Sequence, residues 1–161
     1  MIPSVLPLAR LAEVNDRLFV NALDGVTDEQ GQGRPSGHTN SITFVAVHVV
    51  DARHFLTKML GSEHANPFGE MLKDVQSIEQ FVHPPPLSDV RRAWQSVVAG
   101  LAVHLEALTE EEARAPAPNA FPVGDNSVLG ATAFLMQHEA YHIGQLALIR
   151  KYWGLPAMTY E

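Results

Sequence analysis

The stretch NSVLGATAFLMQHEAYHIGQLALIRKY, residues 126–152, decides the fold. Ala131, Leu135, Leu146 and Ile149 recur at helical spacing, and His138 and His142 occupy two places in the same apolar stripe. Four residues apart in a helix, two imidazoles lie on one face about a turn apart, which is how a helix presents two ligands to one metal ion. Gly154 and Pro156 stop the helix. A histidine that replaces a core residue needs a partner, so the question becomes what meets this pair.

Working outward, three more segments carry the helical period, and no strand alternation or hairpin signal stands between the turn clusters. A first helix over 4–23 aligns Leu8, Leu11, Asn15, Leu18 and Ala22, and leads into a polar, Gly-rich loop at 31–37. A second, over 40–60, has Thr39 or Asn40 as its cap, Gly61 as its stop and Val45, His48, Ala52, Phe55 and Met59 as its stripe, so His48 faces inward. Residues 61–87, with Pro67, Gly69 and Pro84 to Pro86, read as a long crossover holding one short helix around 69–80. Ser88 caps a third helix reaching about residue 108, with Val90, Trp94, Val97, Leu101, His104 and Leu108 inward. Glu110 to Glu112 and a link through Pro116, Pro118 and Pro122 then lead to the fourth helix.

Four helices with one apolar stripe each are buried most economically as a four-helix bundle, so the fold class is all-α, one domain over 1–161. The long crossover between helices 2 and 3 lets those two run parallel, while the shorter links join antiparallel neighbours. Helices 2 and 4 then run oppositely, and a rise of about 1.5 Å per residue puts His48 level with His138 and His142. His104 comes out about 10 Å further along and is left aside. His38, His54, His64 and His83 read as surface or pocket-rim residues, His54 lying about 240° around the helix from His48.

Composition narrows the chemistry. With 161 residues, 46% of them hydrophobic, and no cysteine, the chain can build one sizeable core but offers no thiolate, so a metal must be held by nitrogen and oxygen. A net charge of −7 and 11 scattered Lys and Arg disfavour nucleic acid. No apolar run is long enough to span a bilayer and no targeting signal opens the chain, so a soluble cytoplasmic protein with a small-molecule substrate is expected. Arg53, Arg91, Arg92 and Arg150 could pair with a substrate carboxylate, although arginines on helices usually serve solubility.

Two stretches, NSITFVAVHVVDARHF and QHEAYHIGQLALIRKYWGLP, resemble the DinB-like family over nearly the whole chain. In the first, one histidine follows an Asn-Ser helix start; in the second, an H-x-x-x-H pair leads into Gly-Gln. The resemblance implies a four-helix bundle with a long crossover, often a homodimer, and a divalent metal on His48, His138 and His142. It also implies a metal-dependent thiol transferase or hydrolase, with a low-molecular-weight thiol as an additional cofactor.

Three neutral imidazoles leave an ion its full charge and at least one free position, and such an ion favours the deprotonated form of a water or a thiol. Zinc and nickel are the first candidates; imidazole suits copper and iron as well. Asp51, Glu139, Tyr141 and Gln145 lie beside the ligands in sequence and are the acid-base or orienting candidates. HEAYH also fits the zinc-protease pattern, in which the glutamate activates water. The longer form of that pattern requires Gly and His where this chain has Gln145 and Leu148, and a downstream glutamate ligand exists only as Glu161.

Overall fold

The computed structural model describes residues 1–160; Glu161, the one glutamate weighed as a protease-type ligand, lies outside the described residues. Four long helices carry the fold: α1 (Leu6–Leu23), α3 (Ile42–Met59), α5 (Leu87–Ala107) and α7 (Val128–Tyr152). The short α2 (Asp28–Gln32), α4 (Gly69–Leu72) and α6 (Glu110–Arg114) lie in the connections. No helix among the described residues is long and apolar enough to cross a membrane.

The bundle forms as the stripes require. Helix α3 packs on both α7 and α5, and α1 closes the ring against the same two. Ile42 and Val45 share a core cluster with Leu87, Val90, Leu146 and Ile149, whereas Leu56 joins Leu101, Leu105, Leu135 and Met136 in a second. This order makes α3 parallel to α5 and antiparallel to α7, as the crossover demands. The helices joined by the shorter links run antiparallel as expected, but α1 and α3, like α5 and α7, stand across the bundle from one another rather than side by side.

Several boundaries move for local reasons. The second long helix is capped by Ser41, whose hydroxyl accepts from the Phe44 N–H at 3.2 Å, rather than by Thr39 or Asn40. Ser88 lies within α5, which begins directly after Pro86; the Leu87 N–H is taken up by Asp28 Oδ1 of α2 at 2.8 Å, so a remote carboxylate serves where a local cap was expected. The 31–37 loop starts inside α2, held by the reciprocal Thr27 and Gln30 capping box. The crossover helix breaks into α4 and a 3₁₀ turn, Ile78–Gln80. Pro116 and Ser127 form an isolated antiparallel bridge that pinches the link before α7.

Two stripes also shift. On α1 the buried face is Ala9, Ala12, Asn15, Phe19 and Ala22, leaving Leu11 51% exposed, because small alanines let the helix seat closely. On α3, packing on two sides buries most of the circumference: Arg53 and His54 are inside, while Phe55 is 37% exposed.

That inversion creates a polar core. Arg53 donates to both Glu139 oxygens, at 2.5 and 2.7 Å, and lies 2.8 Å from Asp16. Its guanidinium sits 4.4 Å from the centre of the Trp94 ring, which stacks on Phe19. Asn15 donates to Glu139 and to the Met136 carbonyl. One network thus joins all four long helices, with Arg53 and Glu139 both fully buried. Arg150, also buried, ties α7 to the end of α1 by donating to the Ala22 and Asp24 carbonyls. Arg53 and Arg150 are therefore structural rather than solubilising; Arg91 donates to the Leu23 carbonyl from a half-buried position.

Candidate metal centre

The two histidine-bearing helices face each other because their stripes are adjacent in the bundle. His48 contributes from α3, and His138 and His142 from successive turns of α7. The Nε2 atom of His138 lies 3.3 Å from that of His48 and 3.1 Å from that of His142. One ligand atom from each residue falls within 4.8 Å of the other two, and among the described residues no other trio of His, Asp and Glu does this. An ion with nitrogens at about 2.0–2.1 Å keeps neighbouring ligand atoms about 2.8–3.4 Å apart in octahedral or tetrahedral geometry. The two separations from His138 fit that range. A shared proton could serve only one pair at a time, whereas a cation at the centre serves all three nitrogens.

The electrostatics suit the same role. Burial, reinforced by His142 and His138, pushes His48 down to about 4, and burial together with His142 lowers His138. Both are neutral near pH 7, the state a metal ligand requires. His142 Nδ1 lies 2.9 Å from Gln145 Oε1, an acceptor, so Nδ1 donates there and Nε2 is the atom turned toward His138. The Nδ1 of His138 is buried with no partner among the described residues.

The neighbouring candidates divide. Gln145 contacts the His142 ring directly. Tyr141, 59% exposed, sets its ring edge-on to His142 at 5.0 Å. Asp51, one turn beyond His48, is half-buried and accepts from Asn66 of the crossover at 2.6 Å; burial raises its carboxyl. Glu139 departs from expectation: although adjacent to His138, its carboxylate enters the core and is taken up by Arg53 and Asn15. Residues 138 and 139 differ by about 100° around the helix, so when His138 faces His48 Glu139 does not. Both oxygens of the glutamate in H-E-x-x-H are thus engaged within the core.

His104 lines a cavity with Met59 and Leu60, eleven residues or about 16 Å along α3 from His48, and plays no part in the centre. Sequence reasoning missed an aromatic row that leads away from His138. Phe134 lies 6.1 Å from the His138 ring, Phe121 5.2 Å from Phe134, and Phe55 6.2 Å from Phe121. The spacing of Phe55 and Phe134 from the histidines carried that signal; the contribution of Phe121, from a loop, did not.

No curated protein matches the chain. The model of the DinB superfamily matches residues 11–146, which include all four long helices in whole or large part and all three histidines. With the bundle, the crossover and the trio of converging imidazoles in place, that match over most of the sequence shows that the chain belongs to the DinB superfamily.

Proposed function

We propose that this protein is a metal-dependent enzyme that transfers a low-molecular-weight thiol to a small electrophile, or hydrolyses a small substrate, on the face of its three-histidine centre. The observation that carries this reading is the convergence of three Nε2 atoms from two helices with no carboxylate among them. A divalent cation there, zinc or nickel first, supplies Lewis acidity and a positive charge that favours the deprotonated form of a thiol or water.

The chain's own groups do the rest. Gln145 fixes the ring of His142. Asp51, its carboxyl raised by burial, is the group assigned to take up a proton, and the exposed Tyr141 hydroxyl is a hydrogen-bond donor at the rim. Phe134, Phe121 and Phe55 offer a wall for an apolar part of the substrate. Glu139 is assigned to positioning, through Arg53. The same proposal includes a homodimer, which the resemblance implies.

Elemental analysis of untagged protein, in parallel with the His48→Ala, His138→Ala, His142→Ala triple variant, tests this. About one metal per parent chain and none in the variant is expected, followed by metal-dependent turnover of a thiol-conjugation or hydrolysis panel. No metal in either after reconstitution overturns the centre; metal without turnover overturns the enzyme. A second reading, a non-catalytic bundle that binds metal or a small ligand, draws on the cavity of about 430 Å³ that the crossover forms with Asp51 and Phe55. Ligand-dependent hydrogen-exchange protection of 61–87 without product would favour it.

A further inference from the structure

The three histidines do not depend on the bundle equally. His138 and His142 stand one turn apart on α7, so the 3.1 Å between their Nε2 atoms is set within one helix. His48 comes from α3, and its 3.3 Å approach to His138 depends on the register and rotation of one helix against the other. Among the described residues, only two hydrogen bonds besides that approach join α3 to α7: Arg53 Nε to Glu139 Oε1 at 2.5 Å and Arg53 Nη2 to Glu139 Oε2 at 2.7 Å. The rest of what the two helices share is apolar. Ile42 and Val45 lie in one core cluster with Leu146 and Ile149, and Leu56 lies in another with Leu135 and Met136.

Apolar contacts are non-directional, and helix packing angles scatter by about 15–20° even where ridges fill grooves. A planar guanidinium that donates two bonds to one carboxylate is directional in both distance and plane. This fork is itself held from the other two long helices. Asn15 of α1 donates to Glu139 at 3.2 Å, Asp16 of α1 lies 2.8 Å from Arg53, and the Trp94 ring of α5 covers the guanidinium at 4.4 Å. The fork also stands close to the ligands: Glu139 directly follows His138, and Arg53 is five residues, about 7.5 Å of helix rise, beyond His48. Stability alone does not account for it, because a buried ion pair is often no more stable than apolar side chains of the same volume. Fixing a register is the best-attested use of such a pair.

We propose that the fork of Arg53 and Glu139 is the positioning element of the three-histidine centre, and that it acts through His48. By setting how α3 sits on α7, the fork brings His48 Nε2 to the pair on α7 and turns a two-histidine site into a three-histidine one. A site of this kind tolerates errors of only about 0.5 Å in its ligand positions. The inference rests on the metal-centre reading above and extends it from the ligands to the two residues that place them, neither of which contributes a ligand.

The test compares the full chain with the Arg53→Met, Glu139→Met double variant, which leaves no charge unpaired inside, and takes His48→Ala as reference. In the metal-free proteins, NMR cross-peaks between imidazole ring protons read the contacts directly. The ring centres lie 5.0 Å apart for His48 and His138, 4.6 Å for His48 and His142, and 4.4 Å for His138 and His142. The double variant is expected to lose both contacts of His48. It should keep the His138 to His142 contact within α7, and the Phe44 to Phe81 contact, 5.3 Å, away from the fork. Cobalt(II) is expected to bind the variant about tenfold or more weakly than the parent, with a visible absorption spectrum close to that of His48→Ala. A folded variant with parental His48 contacts, or with parental cobalt affinity and spectrum, would overturn the proposal. So would a loss of all four contacts together, which marks general loosening. Arg53→Lys keeps the charge and gives up the fork, and it is read in the same ways should the methionine pair not fold. A parent that binds no cobalt refutes the metal centre, while the metal-free contacts still decide the fork.

Discussion

Replacing Glu139 by alanine removes the acceptor of both short Arg53 hydrogen bonds and leaves a fully buried guanidinium with Asp16, which is 23% exposed, as its remaining charged partner. Breaking a buried pair from one side costs about 3–5 kcal/mol, because the surviving charge keeps its desolvation penalty without its compensation. Since Asp16 stays 2.8 Å away and the Trp94 face still covers the guanidinium, the lower part of that range is expected, about 3 kcal/mol. For a chain of this size that lowers Tm by roughly 6–12 °C. Urea unfolding of the metal-free protein, followed by far-UV circular dichroism, reads the change directly, as a shift of midpoint at constant m. Replacing Arg53 and Glu139 together by methionine should cost less than Glu139→Ala alone, because no unpaired charge remains inside. A loss below about 1 kcal/mol in Glu139→Ala, outside the range for breaking a buried pair, would refute the reasoning. So would a variant of parental stability that has lost turnover, since Glu139 would then be acting at the metal and not in the core.

Three further outcomes follow from the same contacts. Gln145→Ala should weaken metal binding about 10–100-fold in a chelator competition while leaving Tm of the metal-free chain within about 2 °C, because Gln145 fixes the His142 ring from outside the core. Gly31→Ala should cost about 1–3 kcal/mol by overpacking, since an added Cβ would meet Thr43 Oγ1 at 2.8 Å and Leu87 Cδ1 at 2.9 Å; thermal unfolding checks it, and an unchanged Tm would show that the α2 contact gives way freely. The third is a pH dependence. His54 in the folded chain is held down at about 4 against an ordinary 6.5, so the unfolded chain binds the extra proton first. The stability it contributes is fully present above pH 6.5 and is lost as the pH falls through about 4. Asp16 and Asp51, both raised by burial, push the other way, so the quantity to measure is the difference between parent and His54→Phe in Tm against pH. The variant should show the shallower fall; parallel curves would count against a neutral buried His54.

How far each residue could be read depended on how many neighbours its helix has. Helix α5 buries one stripe, and Val90, Trp94, Val97, Leu101 and Leu108 are all inside as its periodicity requires. Helix α3 packs on two sides, so a one-stripe reading placed His48 and Val45 correctly but mistook Arg53 and His54 for surface residues and Phe55 for core. Charge misled in the same way on α7, where Arg150 lies within the bundle, because a charged residue is assigned to solvent unless its partner is known. Those partners are carbonyls of α1 and a carboxylate on another helix, more than 80 residues away in the chain.

The sequence by itself determined what local physics governs: four amphipathic helices, their Gly and Pro stops, the crossover that makes α3 and α5 parallel, and three inward histidines at matching heights. Tertiary structure alone decided that the carboxylate of Glu139, next to His138, is taken up in the core. It also decided that Arg53 pairs with Glu139 across two helices, and that Phe121 reaches Phe134 from a loop. The reason is geometric. Periodicity fixes directions around one helix axis, whereas the rotation of each helix against its neighbours is set by how all the side chains fill the shared interior, and that is a property of the packed whole.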